Sequence, residues 1–408
     1  MTEHQSNQHL VRKPKILIAY ANTGGGHLSA ARAIEAAIHE RYPQEYDVLI
    51  MNLSAASRSQ SVTMLYESYN FMLKAGTRYA KPGLKLLNTV DIERMLMPMV
   101  RRAVGNIRRT IIRERPDLIV SVHGMLNHLL LRLLKDCDWL GKVPYVIVCT
   151  DLTDNFLKGW ANPQATRVIT FTEMARAQMM TYGVAPEKIT VHRGFPVNPS
   201  FFTADAGKQE CRDQLGLDAN LFTALVSLGG MAIPSKTKSI VKALLTSGLP
   251  LQVVVVCGTN RSLTRRMHTV ARTSTMPLHV YGFTQRIPQM MSAADVMITK
   301  PGPGTIMEAV IKELPLLLDN VTEPMPQEKG NLRYALEQGV ALEFTSYRQL
   351  PQVLAQLMQD HAAYAQMQEQ MSRLKNEQGI FEVVESILAE LPRVPDVDST
   401  VTLNDNML

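Results

Sequence analysis

The stretch Lys300-Pro301-Gly302-Pro303-Gly304-Thr305-Ile306-Met307-Glu308-Ala309 decides how this chain is read. It follows an apolar run, Asp295-Val296-Met297-Ile298-Thr299, that reads as a buried strand, and it opens a segment with helical periodicity. A glycine-rich turn between a strand's carboxyl end and a helix is where doubly wound α/β folds bind phosphates. The glycines let the backbone approach a ligand, and the helix N-terminus supplies free N–H groups and partial positive charge. Glu308 falls about one turn into that helix, where a carboxylate accepts hydrogen bonds from a ribose diol. The competing reading is a strand–turn–helix joint with ordinary turn chemistry.

Working outward, the second half repeats the pattern. Thr223–Leu228 reads as a strand ending in Gly229-Gly230, Leu251–Cys257 as one ending in Gly258, and His279–Tyr281 as one ending in Gly282. Leu314–Leu318 is a further strand, and Leu350–Leu391 reads as helical, with a loose polar tail after Pro392. The first half alternates in the same way. Strands are expected at Lys15–Tyr20, Val48–Asn52, Leu118–Val122, Tyr145–Cys149 and Val168–Thr170, with a helix at Ser29–Arg41 and helical stretches from about Ser61 to Arg115. Phe195-Pro196-Val197-Asn198-Pro199 reads as an extended linker, because two prolines oppose helix. Two similar-sized α/β domains result, each with a helix-covered parallel sheet, and their strand ends face a central cleft. The expected division is 14–195, 206–349, helices over 350–391 packing back toward the first domain, and a flexible tail at 392–408.

The 46% apolar and 20% charged fractions are those of a globular protein. No run reaches the roughly 18–20 apolar residues of a membrane span. The polar start lacks the apolar centre of a signal peptide, so a cytoplasmic location is expected. Cys137, Cys149, Cys211 and Cys257 are scattered and read as reduced thiols, and no metal-ligand spacing is present. Residues 1–200 hold 25 Lys+Arg against 16 Asp+Glu, while the remainder is slightly acidic, so the first half should meet something anionic. Arg94, Arg101, Arg102, Arg108, Arg109, Arg113 and Arg115 share a helical stretch with Met95, Leu96, Met97, Met99 and Val100. That pattern suits first a solvated face on a core-packed helix, and next an anionic membrane surface. Nucleic acid is disfavoured, because basic and aromatic residues are not interleaved.

Four groups of residues carry candidate chemistry. Asn22-Thr23-Gly24-Gly25-Gly26-His27 follows the first strand, and the glycine turn presents His27 at the sheet edge as a general base or as a helix cap. His123, in Ser121-Val122-His123-Gly124, sits at another strand end. Asp151, in Thr150-Asp151-Leu152, would orient a His or cap a helix. The fourth group is the second half's loops: Gly229-Gly230, Gly258-Thr259-Asn260, Gly282-Phe283-Thr284, the 300–308 motif and Gln327-Glu328-Lys329-Gly330-Asn331. Together they can line a cleft with backbone donors for a diphosphate, amides for a base and carboxylates for sugar hydroxyls.

At these residues the chain resembles the GT-B glycosyltransferase family of monogalactosyldiacylglycerol synthases and processive diacylglycerol glucosyltransferases. The resemblance runs from about Lys15 to Phe344 and is strongest over Lys300–Ala309 and Gln327–Asn331. It implies a UDP-hexose donor, galactose or glucose, in the second domain. Glu308 would hold the ribose, Gly302, Gly304 and Thr305 would meet the diphosphate, and Lys300 would belong to the same donor site. Phe283 and Thr284 would frame the uracil, and Gln327, Glu328 and Asn331 would approach the hexose. It also implies inversion by direct displacement, no required cofactor or metal, a diacylglycerol acceptor in the first domain, and His27 as the base. The plant galactolipid enzymes carry Asp where this chain has Asn22, which leaves the base at His27 or elsewhere. The alternatives are a nucleotide-sugar epimerase or hydrolase on the same scaffold, and a non-catalytic nucleotide-sugar or membrane-binding module.

Overall fold

The computed structural model describes residues 12–21, 25–60, 92–154, 156–202, 207–230, 232–322 and 324–392, without the side chains of 92–102 and 326. Asn22, Thr23 and Gly24, the 61–91 segment and the tail from 393 lie outside the described residues.

Two sheets of six parallel strands are described. The first contains β1 (Lys15–Tyr20), β2 (Asp47–Asn52), β3 (Leu118–Ser121), β4 (Tyr145–Val148), β5 (Arg167–Thr170) and β6 (Ile189–Val191), in the order β2-β1-β3-β4-β5-β6. The second contains β7 (Phe222–Ser227), β8 (Leu251–Val256), β9 (Leu278–Tyr281), β10 (Val296–Thr299), β11 (Leu316–Asp319) and β12 (Ala341–Phe344), in the order β12-β11-β10-β7-β8-β9. All residues of β3, β4, β8 and β10 are buried, as expected where helices cover both faces of a parallel sheet. That is why their sequences are unbroken apolar runs rather than alternating ones. β6 and β12 were not anticipated. They are edge strands of three and four residues with partly exposed positions, too short to stand out as apolar runs.

Chain order reverses at β1/β3 in the first sheet and at β7/β10 in the second. In open α/β sheets, ligands bind beyond the strand ends at such points. His27 stands at the start of the helix after β1 and His123 in the loop after β3, while Gly229-Gly230 follow β7 and Lys300–Gly304 lead from β10 into the next helix.

The helix Gly26–Arg41 buries Ala30, Ala33, Ile34, Ala37 and Ile38 on one face. Against it packs the helix Gly379–Leu388, which returns from the far end of the chain. The return is tight: a Cβ at Gly379 would lie 2.1 Å from the Gly194 Cα. Arg167 pairs with Glu390 at 2.7 Å, and His192 Nε2 meets Ser386 Oγ at 2.8 Å. The connector is not loose. Phe195, Val197 and Phe201 are buried in a core cluster that also holds Ile16 of the first sheet and Leu225 of the second.

The described end of the arginine-rich helix, Ile92–Glu114, turns Ala103, Ile107 and Ile111 into the first core. That apolar stripe is therefore taken up by packing from residue 103 onward. Among the described residues, no helix is long and apolar enough to cross a membrane.

Candidate active site

His27 is the second residue of its helix, and its Nδ1 lies 2.8 Å from the Val122 carbonyl oxygen. A carbonyl only accepts, so Nδ1 carries the proton and Nε2 keeps its lone pair. The Thr150 hydroxyl stands 3.4 Å from the same Nδ1. Burial lowers the His27 pKa to about 4, the Val122 bond opposing and the Lys300 ammonium adding to the drop. The ring is thus neutral at pH 7. Lys300 belongs to the second sheet's loops, so its influence on His27 is exerted across the cleft.

The His123 ring lies 4.3 Å from that of His27, centroid to centroid. Its Nδ1 accepts the Met125 backbone N–H at 3.3 Å, which puts its proton on Nε2. Burial holds its pKa well below the usual value. The two imidazoles therefore have opposite tautomers, one with a free acceptor nitrogen and one with an N–H.

Among the described residues, Asp151 makes no hydrogen bond to a histidine and caps no helix. Its Oδ2 accepts the Trp160 indole N–H at 2.7 Å. The indole wins because the turn bearing it is pinned: Asn127 Nδ2 donates to the Gly159 carbonyl at 2.9 Å, and a Cβ at Gly124 would lie 2.9 Å from the indole ring. Burial raises the Asp151 pKa to about 6, with the indole bond opposing and Glu328 raising it further. Asn127 was not singled out as a site residue from sequence, because its bond to the Gly159 carbonyl joins segments 32 residues apart and leaves no local signal.

On the second sheet's side the glycines divide into two kinds. Gly229 and Gly258 have positive φ, +89° and +53°, and a Cβ at Gly258 would lie 2.1 Å from the Gly230 carbonyl oxygen. The fold itself requires these two. Gly302 and Gly304 have no positive φ, and nothing lies within 4 Å of where their Cβ atoms would be. Packing does not demand glycine there, and the two positions leave open space at the start of the helix Pro303–Ile311. Gly25 faces Gly230 across the cleft, a Cβ on Gly25 standing 3.8 Å from the Gly230 nitrogen.

Lys300 Nζ donates to Glu328 Oε1 at 2.7 Å. Burial pushes the Glu328 carboxyl up, but Lys300, the Met325 backbone N–H and Lys236 together hold it below the usual range. Gln327 is half-buried beside it. Glu308 is half-buried with no side-chain hydrogen bond or ion pair among the described residues, and burial raises its pKa to about 7. Thr305 is half-buried in the first turn of its helix, and Phe283 is 63% exposed. The Thr284 hydroxyl accepts the Arg286 N–H at 3.0 Å.

Two residues also have structural work. Asn331 is fully buried, and its Nδ2 donates to the Pro301 carbonyl at 3.3 Å. Nearly one helical turn beyond Glu328, it has passed beneath the 300–302 loop and supports it. Asn260 spends its side-chain oxygen capping the helix Arg261–Thr273 through the Leu263 N–H at 2.9 Å. Among the described residues, no group of three or more His, Cys, Asp or Glu side chains is placed to hold a metal ion.

Residues 27–197 match the family described as monogalactosyldiacylglycerol (MGDG) synthase, and residues 227–384 match the glycosyltransferase family 28 C-terminal domain. The chain is 30% identical to monogalactosyldiacylglycerol synthase 1 of Arabidopsis thaliana over 91% of its own length and 70% of that protein's. The chain belongs to the monogalactosyldiacylglycerol synthase family. It is likewise 30% identical to the chloroplastic synthase of Spinacia oleracea over 84% of its length, and spans 66% of that relative. Anabaena HepE, solved in complex with UDP-glucose, superposes with a TM-score of 0.55 at 16% identity, over 92% of this chain and 98% of that one. That likeness shows the GT-B fold expected from the motifs. The two family matches fall on the two sheets, so this synthase-family chain keeps His27, His123 and Asp151 in one match and the glycine loops, Glu308 and Glu328 in the other.

Proposed function

We propose that the protein is an inverting glycosyltransferase that moves a hexose from a UDP-hexose onto diacylglycerol at a membrane surface. The observation that carries this reading is the His27 tautomer: Nδ1–H is committed to Val122, and the Nε2 lone pair remains beside the cleft with Lys300 opposite. Nε2 takes the proton from the acceptor hydroxyl as its oxygen bonds to the anomeric carbon. The bond from that carbon to the diphosphate oxygen breaks on the opposite face, and UDP leaves with the electron pair. Lys300 and the N–H groups opening the helix Pro303–Ile311 receive the developing charge. Glu308 accepts the ribose hydroxyls, and Gln327 and Glu328 meet the hexose. His123 and Asp151, held by Trp160, line the acceptor side.

In this reading residues 14–195 bind the acceptor, 206–349 bind the donor, and the helices of 350–391 fasten the second unit to the first. The positive balance of the first half would place it against anionic lipid on the cytoplasmic face. The relatives' names make UDP-galactose the first donor to assay, with UDP-glucose beside it.

The test uses purified protein, diacylglycerol in anionic vesicles and each labelled donor. Label entering lipid, and lost in both His27→Ala and Glu308→Ala, supports transfer and identifies the sugar. Free hexose or an epimer formed without lipid would replace this reading with the hydrolase or epimerase one.

A further inference from the structure

At the carboxyl edge of the second sheet, two ammonium groups and two carboxylates form two pairs of unequal burial. Lys236 lies in the first turn of the helix Pro234–Leu245, which follows β7, and its Nζ reaches 3.2 Å from Asp319 Oδ2 at the end of β11. In the sheet, β10 lies between β7 and β11. The Asp319 side chain is fully buried and that of Lys236 is 18% exposed. Because Thr299 is in register with Leu318, Lys300 and Asp319 leave the sheet side by side. Lys300 and Glu328 make the other pair, at 2.7 Å, with side chains 37% and 22% exposed. The Lys300 stem runs along the Gly229 turn, whose Cβ position is 3.8 Å from Lys300 Cε.

These pairs differ in how easily they open. Breaking Lys236–Asp319 would strand a carboxylate away from water, the costliest kind of separation. Lys300 and Glu328 are both partly open to water, so opening that pair leaves neither charge sealed away from solvent. The four charges also balance. A diphosphate approaching Lys300 meets a cation already neutralised, and a carboxylate that repels it.

We propose that Lys300–Glu328 is an exchangeable counter-ion pair: the donor's diphosphate takes Lys300, and the released Glu328 turns to the hexose hydroxyls, while Lys236–Asp319 stays closed beneath them. The inference rests on the donor-site reading above and deepens it. Glu328 then opposes binding of UDP but supports binding of UDP-hexose. Once the hexose has gone, closure of the pair helps to expel the UDP product.

The experiment is calorimetric titration of UDP and UDP-galactose into the full-length wild type, Glu328→Gln, Lys300→Gln and the double variant. Glu328→Gln is expected to bind UDP about fivefold or more tighter, to lose the preference for UDP-galactose over UDP, and to show no gain when Lys300 is also replaced. Unchanged or weaker UDP binding by Glu328→Gln with an unaltered Tm overturns the exchange. So does a gain that persists without Lys300, since Glu328 would then act by simple repulsion. If the Gln variant melts early, Glu328→Ala is read against the same criteria. If the wild type binds no UDP at all, the donor-site reading falls, and the exchange with it.

Discussion

A histidine serves as a base only when one ring nitrogen is committed and the other keeps its lone pair. His27 meets that condition through Val122, a residue 95 positions away. Replacing it with Ala should lower transfer by about 10²- to 10⁴-fold while leaving UDP affinity unchanged, since no donor contact is removed. Steady-state rates and a UDP titration check both halves of that statement. Glu308 makes a separate prediction. Its pKa stands at about 7, raised by burial, so near pH 7 a good part of it is protonated. Ribose hydroxyls donating to the carboxylate favour its charged form and lower that pKa. UDP binding at pH 7 should therefore release protons, less so at pH 9, and not at all in Glu308→Gln. Titrations in buffers of different ionisation enthalpy measure this directly. The two groups also affect stability in opposite directions. The contribution of His27 is intact above its unfolded value near 6.5 and is lost as pH falls toward 4. That of Glu308 is intact below about 4.5 and is lost as pH rises through 7. The candidate residues His27 and Glu308 were readable because each follows glycines at a strand end. The tautomer and the pKa values were not, because they depend on burial and on a carbonyl from another strand.

At the scale of elements, glycines with open space at the Cβ position and glycines packed against backbone make opposite predictions. Gly304 sits in the first turn of the helix Pro303–Ile311 with open space where a Cβ would be. Gly304→Ala should leave stability unchanged or raise it by about 0.5–1 kcal/mol, because Ala is the better helix former, yet weaken UDP binding. Gly379→Ala should do the reverse. Its Cβ would collide with the Gly194 backbone at 2.1 Å and lever the helix Gly379–Leu388 off the helix Gly26–Arg41. A loss of about 1–3 kcal/mol is expected in urea unfolding, with little change in UDP affinity per folded molecule. Most strands were legible as unbroken apolar runs. The edge strands β6 and β12 were not, and neither was the destination of the arginine-rich helix, whose described apolar face packs inward.

In the whole molecule the two units are joined by the covalent connection, by the shared core around Phe195 and Val197, by the returning helix Gly379–Leu388, and by a charge pair described across the cleft. Arg333 of the second unit lies 3.0 Å from Asp154 of the first. Their side chains are 46% and 42% exposed, so the pair adds under about 1 kcal/mol to stability. Its effect should lie in how the cleft closes. Asp154→Arg is expected to lower kcat/KM at low salt, with recovery as salt screens the repulsion. The double exchange Asp154→Arg with Arg333→Asp should restore activity at low salt. Failure of the double exchange to restore it would remove this pair from closure.

The sequence by itself determined the strands that form the sheets, the glycine turns at their ends and the residue types available there, because apolar runs and turn chemistry are local properties. Tertiary structure alone decided which loops meet. It brought the ends of β1 and β3 together so that Val122 sets the proton on His27, and it gave Asp151 to Trp160 rather than to a histidine. It also sealed Asn331 under Pro301 and set Glu328 against Lys300. Those outcomes depend on distances between segments far apart in the chain, and strand order, burial and the return of the last helix set such distances only once the whole fold has closed.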